Sequence, residues 1–216
     1  MHGIGVFYAR VMASDPAHPR GPYAKSAARR AEIVASATVV FGTHGYRGGS
    51  LRQIAKQLDL SLTTVMHHFP TKVSLLAAVL EQEDAADTDF PARAARDGFI
   101  PSVLAIVERN LARRELVRMF SIVSAEATHP EHEAHAWLLE RYRAVTETYA
   151  AAIADDCARG RLEARDDPRA LADLVISGWE GIQIRWLTDD TDPVAAMRLL
   201  LVGLLQPRPT ISRGRR

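Results

Sequence analysis

A single cysteine, Cys157, stands in a chain of 216 residues. One thiol can neither close an internal disulfide nor build a thiolate metal site, and a reducing cytoplasm fits that usage. The thiol lies in "DDCARG", where the neighbouring carboxylates disfavour a thiolate, so it makes a poor nucleophile. Long apolar runs are also missing. Nothing approaches the roughly 18 uncharged apolar residues that span a bilayer, so no membrane partner is expected. The opening "MHGIGVFYARV" lacks the charged start and the apolar length of a signal peptide, and Met12 stands as an alternative first residue. The G-x-S-x-G, phosphate-loop, dinucleotide and H-E-x-x-H patterns are all absent, so neither an enzyme nor a cofactor is expected. β-type alternation between turn signals is absent, as is any internal repeat.

What is present is 47% hydrophobic residues, enough for a core. The net charge of +1 conceals a division. Residues 1–80 hold nine basic and three acidic side chains, and residues 81–216 hold 18 and 23. A basic head on an acidic body suggests a polyanion partner for the head.

Residues 1–22 carry Pro16, Pro19, Gly21 and Pro22 without periodicity and are expected to be a disordered arm. From Lys25 the pattern turns helical, with Ile33, Ala37, Val40 and Phe41 on one stripe. "GTHGYRGG" ends it, Gly42 and Gly45 being able to take left-handed backbone. Two short helices follow, near 50–57 and 61–68, with Ser50 and Ser61 as N-caps. Pro70 marks a break, and Thr71 caps a connector helix from Lys72. "DFPARAARDGF" reads as a loop or frayed segment. Helices are expected at 100–110, 113–128, 131–159, 168–188 and 192–205. The fold class is all-α: a three-helix head over 23–70, a larger helical bundle over 71–206, and a flexible basic tail over 207–216.

The segment "LRQIAKQLDLSLTTVMHHF", residues 51–69, reads as helix, turn and helix. Ile54, Leu58, Leu60 and Val65 face inward, Ala55 allows the helices to cross closely, and Asp59 sits where left-handed backbone is needed. That leaves Leu62, Thr63, Thr64, Met66 and His67 on the outer face, placed to enter a major groove. The threonine hydroxyls can reach base edges or phosphates, while their methyls, with Leu62 and Met66, can touch thymine methyls. Arg52, His68 and Lys72, and the backbone at Ser50 and Ser61, suit phosphates; Lys25, Arg29 and Arg30 can extend the contact. A helical hairpin packed inside an all-α enzyme is the other reading of this pattern.

Residues 29–80 resemble the DNA-binding domain of the TetR family of bacterial transcriptional regulators. The matching positions are Ile33, Ala37, Phe41, Gly45, Tyr46, Ser50, Ile54, Ala55, Leu58, Ser61, Thr64, Phe69 and Lys72. The resemblance implies a three-helix DNA-binding domain, a ligand-binding bundle and a two-fold dimer. By position, it gives Ser50, Arg52, Thr63, Thr64, His68 and Lys72 as operator contacts. Two residues depart from the family pattern: Asp59 replaces the usual turn glycine, and Met66 replaces the usual tyrosine. Met66 cannot donate the phenol hydrogen bond, so that phosphate contact is missing or supplied by His67.

In the body, Leu171, Leu174, Val175, Gly178 and Ile182, and Val194, Met197, Leu201 and Leu204, follow helical spacing and are expected to form a four-helix dimer interface. Gly178, Gly181 and Gly203 would allow close approach. Apolar and polar residues on the central helices are the candidate walls of an effector pocket: Met119, Phe120, Ile122, Val123, Glu126, Trp137, Tyr142, Tyr149, Trp179, Gln183 and Trp186. The expected partners are a double-stranded DNA operator, a small apolar or amphipathic effector and a second copy of the chain. Effector binding is expected to change the spacing of the two reading helices. "HPEHEAH" sets His129, His132 and His135 three apart beside Glu131. A solvated polar face explains that spacing better than a metal site, and no metal is expected. The alternative to a repressor is an activator or, in another class, an all-α enzyme or small-molecule carrier with an incidental helix-turn-helix.

Overall fold

The helical periodicity is realised as ten helices among the described residues. They are α1 Pro22–Gly48, α2 Leu51–Gln57, α3 Leu62–His68, α4 Lys72–Ala85, α5 Phe90–Asp97, α6 Phe99–Leu111, α7 Arg114–Glu126, α8 His135–Ala158, α9 Pro168–Asp189 and α10 Pro193–Leu205. The structure, a computed structural model, describes residues 22–85, 89–163 and 166–205. The expected arm up to residue 21 and the tail from 207 lie outside those residues.

The chain divides into two units, residues 1–32 and 33–216. In the first, Lys25 and Arg30 are exposed, and Arg29 donates to Glu32 Oε2 at 2.6 Å, one turn away.

Two apolar cores organise the second unit. The first joins Ile33, Ala37 and Phe41 of α1 to Ile54 of α2, Val65 of α3 and Leu75, Leu76, Val79 and Leu80 of α4. It continues through Met119 and Val123 of α7 to Leu138 of α8. The second joins Phe90 and Ala94 of α5 to Phe99 and Val103 of α6, Ile153 of α8, Leu171 and Val175 of α9, and Met197 and Leu201 of α10. The short helices of the head are too brief to persist alone and rely on the first core.

Gly42 and Gly45 divide the work assigned to them. Gly45 has φ 71° and interrupts α1, as expected. Gly42 does not stop the helix. It lies where α1 crosses α7, and a Cβ there would stand 3.3 Å from the Met119 amide nitrogen. Its lack of a side chain serves close helix approach.

"DFPARAARDGF" is not a loop, because Phe90–Asp97 forms α5. Pro91 sits in the first turn, where its missing N–H costs nothing. Phe90 and Ala94, four apart, are both buried. Phe90 packs against Phe99 at 6.1 Å and Tyr149 at 4.8 Å between ring centroids. Gly98, with φ 97°, turns the chain into α6, where Asp156 Oδ2 accepts from the Phe99 amide at 2.7 Å. The helix expected from 131 starts at His135. The preceding residues are held as turns, His129 Nδ1 accepting from Glu131 N and His132 Nδ1 from Ala134 N.

Candidate nucleic-acid interface

The helix-turn-helix is built by local chemistry. Ser50, in extended backbone at φ −143°, caps α2 by accepting from Gln53 N at 3.3 Å. Ser61 caps α3 by accepting from Thr64 N at 3.0 Å. Each satisfies an amide that a helix start leaves without a partner, an effect worth about 1 kcal/mol. Between them Asp59 adopts φ 52°, the left-handed turn the spacing required, and Leu60 N donates back to Ala55 O at 2.9 Å.

This fixes which way α3 faces. Val65 and Phe69 are buried at 0% and 1% exposure, whereas Met66 is 45% exposed. Thr63 and His67 are also exposed; Leu62, Thr64 and His68 are half-buried. The outward set expected from the sequence therefore lies on the solvent side. The His67 and His68 rings meet edge to face at 5.4 Å. Arg52 is exposed on α2.

Several hydrogen-bonding groups assigned to DNA are occupied within the chain. Ser61 Oγ and Thr64 Oγ1 bond each other at 2.8 Å, leaving one outward O–H between them. Ser50 Oγ donates to Gln53 Oε1 at 2.9 Å. Lys72 is a larger departure. Its ammonium donates to Tyr46 O at 2.8 Å and Gly49 O at 3.1 Å, and lies 4.2 Å from the centre of the Tyr46 ring. It neutralises the carbonyls at the end of α1 as well as being near the head's surface.

Behind this, α1's break at Gly45 is held from α7. Glu126 Oε2 accepts from Tyr46 N at 2.8 Å and Arg47 N at 3.4 Å. His132 is buried beside them, its ring 5.0 Å from that of Tyr46 and its Nε2 3.6 Å from Glu126 Oε2. Because His132 Nδ1 accepts the Ala134 amide, the neutral tautomer carries its proton on Nε2, toward Glu126. Burial, and secondarily the Glu133 carboxylate, push the Tyr46 phenol up to about 12. Tyr46 and His132 escaped sequence reasoning as a unit because nothing local links positions so far apart.

The three histidines do not converge on a common point: His129 and His132 accept backbone amides, and His135 Nδ1 bonds Ala127 O at 2.8 Å.

The expected pocket residues separate. Met119 and Val123 are core at 0% and 1% exposure, and Glu126 is the α1 tie just described. Tyr149 belongs to the aromatic cluster of Phe90 and Phe99. Gln183 and Trp186 are buried, Trp186 beneath the Arg114 guanidinium at 4.9 Å. Trp179 packs against the second core, and Ile122 is half-buried. Phe120, Trp137 and Tyr142 remain partly open. Arg141 lies 5.0 Å and 5.6 Å from the Phe120 and Trp137 ring centres. The Tyr142 hydroxyl donates to Glu180, a residue the sequence reading passed over although it interrupts the apolar run "ISGWEGIQI". Burial, then that hydrogen bond, keep the Tyr142 phenol protonated well above its ordinary range.

The residues of the expected dimer stripe are divided between the core and the surface of the chain. Leu171, Val175, Met197 and Leu201 are at most 2% exposed and form intramolecular core. Ile182, Val194 and Leu204 pack on the same core. A Cβ on Gly178 would collide with Leu200, so that glycine brings α9 against α10 within one chain. Of the nine, Leu174 is exposed, at 52%. The large apolar side chains that α9 and α10 leave exposed are Leu174, Ile184, Leu199 and Val202. Both helices are apolar on more than one side, so periodicity alone could not choose the outward one.

Residues 33–79 match the family model described as bacterial regulatory proteins, tetR family. Over 58 residues the chain is 40% identical to the HTH-type transcriptional repressor AcnR of Corynebacterium diphtheriae. That match spans 27% of this chain and 30% of that repressor, under a third of its length. Among solved structures, GusR of Salmonella enterica aligns with 26% identity and a TM-score of 0.62, covering 82% of this chain and 95% of that one. A regulator from Saccharomonospora viridis, solved in complex with choline, shares the fold at 22% identity and a TM-score of 0.66, covering 82% and 96%. Residues 33–79 of the chain are thus similar to the tetR family of bacterial regulatory proteins, and the rest of the chain shares the fold of the solved regulators.

Proposed function

We propose that the protein is a cytoplasmic, non-enzymatic transcriptional regulator that binds a palindromic operator as a homodimer and is released by a small effector. The observation that carries this reading is α3: a helix pinned from beneath by Val65 and Phe69, presenting Thr63, Met66 and His67 to solvent. A helix held this way enters a major groove, and two-fold pairing repeats it about 34–36 Å away on the next turn. The domain division follows: head over 23–70, effector-binding and pairing bundle over 71–206. Repression is the favoured sense, since the matched C. diphtheriae relative is a repressor.

Pairing is assigned to the apolar face of Leu174, Ile184, Leu199 and Val202, where exposed Gly181 and Gly203 leave room for a second copy. The effector is assigned to the α7–α8–α9 side of Phe120, Trp137 and Tyr142. There the Tyr142–Glu180 pair supplies a polar end among aromatic walls, which suits an amphipathic molecule. The choline bound to the S. viridis regulator is a molecule of that kind, with a cationic head that a carboxylate and aromatic rings attract.

Selection of duplexes from a random pool by the purified protein tests the reading. The expected product is a palindrome, bound by two chains, with affinity falling steeply as salt rises; about six phosphate contacts give a log–log slope near −5. Failure to enrich any duplex sinks the assignment and favours an all-α carrier.

A further inference from the structure

The hydrogen-bonding inventory of the reading face is unusually thin. Between Leu62 and His68, α3 carries two threonines, a valine, a methionine and two histidines after its first leucine, and no Arg, Lys, Asn, Gln, Asp or Glu. The side chains that grip guanine or adenine through paired hydrogen bonds are therefore missing from the helix itself. The Thr64 and Ser61 hydroxyls bond each other, which leaves one O–H between the two, and the amide oxygen of Gln53 on α2 accepts from Ser50 Oγ. What the outer face offers is the Thr63 methyl and hydroxyl, the Met66 thioether at 45% exposure, and the His67 imidazole.

Thr63 and Met66 are three residues apart and so lie on one face, with His67 beside them. An apolar side chain as large as methionine left in water on a helix end loses contact energy that an apolar partner would restore. The major groove has one apolar group on its floor, the thymine 5-methyl, flanked by the O4 acceptor that a hydroxyl or imidazole N–H can address. We infer that α3 recognises its operator chiefly through thymine 5-methyl groups packed against Thr63 and Met66, with His67 donating to a neighbouring acceptor. The inference rests on the DNA-binding reading above and names the bases it selects.

The rigidity of the helix makes this readout selective. Val65 and Phe69 fix its rotation, so the backbone at Met66 is held toward the solvent face and the thioether can reach only what lies within its own length. Cytosine places an amine and no methyl in the groove, and purines place acceptors there, so each leaves the methionine facing a polar edge.

The experiment uses the duplex enriched by the full-length protein. Thymines in each half-site are replaced one at a time by deoxyuridine, which removes the methyl and keeps every hydrogen-bonding group. The wild-type protein is expected to lose about fourfold in affinity per contacted methyl, the transfer value of one such group, and about fifteenfold when both half-sites are changed. In Met66→Ala and Thr63→Ser, the second of which keeps its hydroxyl, the penalty at the corresponding thymine falls toward onefold. Both positions are exposed, and matching thermal melts confirm that the variants fold. Uracil-containing duplexes that bind wild type as tightly as the parent overturn the inference while leaving DNA binding intact. A penalty that persists unchanged in both variants overturns it as well, because the methyls then act through duplex stiffness. Failure to enrich a duplex in the first place removes the DNA-binding reading, and this one with it.

Discussion

Gly45 and Glu126 compete for one space: a Cβ on Gly45 would collide with Glu126 Oε1, while Oε2 of the same carboxylate accepts the Tyr46 amide at 2.8 Å. The break in α1 is thus shaped twice, by a backbone of φ 71° and by an acceptor delivered from α7. Gly45→Ala is expected to cost about 1–3 kcal/mol for a positive-φ backbone that glycine alone adopts readily, with the steric conflict added. In a Glu126→Ala background that second cost disappears. Chemical denaturation of the two single variants and the double variant should therefore give a coupling of about 0.5–3 kcal/mol. Simple additivity would mean that the carboxylate does not hold this break.

Lys72 offers a choice between a structural and a DNA-contacting charge. Two backbone carbonyls already hold its ammonium. Lys72→Met is expected to lower stability by about 1.5–3 kcal/mol, the range for hydrogen bonds to a charged group. The salt dependence of operator binding, measured below the melting temperature, should keep its slope. A slope shallower by about one would assign the lysine to a phosphate instead.

The head was legible in the sequence because its determinants are local. Ser50 and Ser61 each stand three residues before the amide they cap, and Asp59 had to take left-handed backbone between two short helices. Helix α5 was hidden because it has a single large apolar residue, Phe90, and its partners Phe99 and Tyr149 come from other helices. The spacing of His132 and its sequence neighbours suggests a solvated face, yet His132 is buried against Tyr46, eighty-six positions earlier. The surroundings of the bundle residues were illegible for the same reason: an apolar stripe states that a face is covered, and only the assembled helices state by what.

Tyr46 has a buried hydroxyl with no hydrogen-bond partner among the described residues, and its pKa is raised to about 12. The neutral phenol is the form the fold accommodates. Its contribution is complete below the unfolded value near 10 and is lost as pH rises from there to about 12, since the unfolded chain ionises first. Tyr46→Phe removes both the unsatisfied hydroxyl and the titration. Thermal melts should show the variant as stable as wild type or more so at neutral pH, and less sensitive between about pH 10 and 12. A variant that melts well below wild type at neutral pH would mean that the hydroxyl has a partner, such as a buried water.

Pairing and folding draw on different residues of α9 and α10. Leu199 is 77% exposed and Ile184 55%, whereas Met197, two residues before Leu199, is fully buried. Glutamate at position 199 or 184 meets water in a single chain, so Leu199→Glu and Ile184→Glu should change its stability by no more than about 0.5 kcal/mol. In a pair, the same carboxylate would be buried without a partner at a two-fold axis and repelled by its own copy, a penalty of several kcal/mol. Sedimentation should then show a folded monomer, and operator affinity should fall because one head no longer brings the other to its half-site. Met197→Ala is the contrasting case, destabilising each chain by about 2–5 kcal/mol through a core cavity. Leu199→Glu and Ile184→Glu proteins that both remain dimeric would move the pairing surface off α9 and α10.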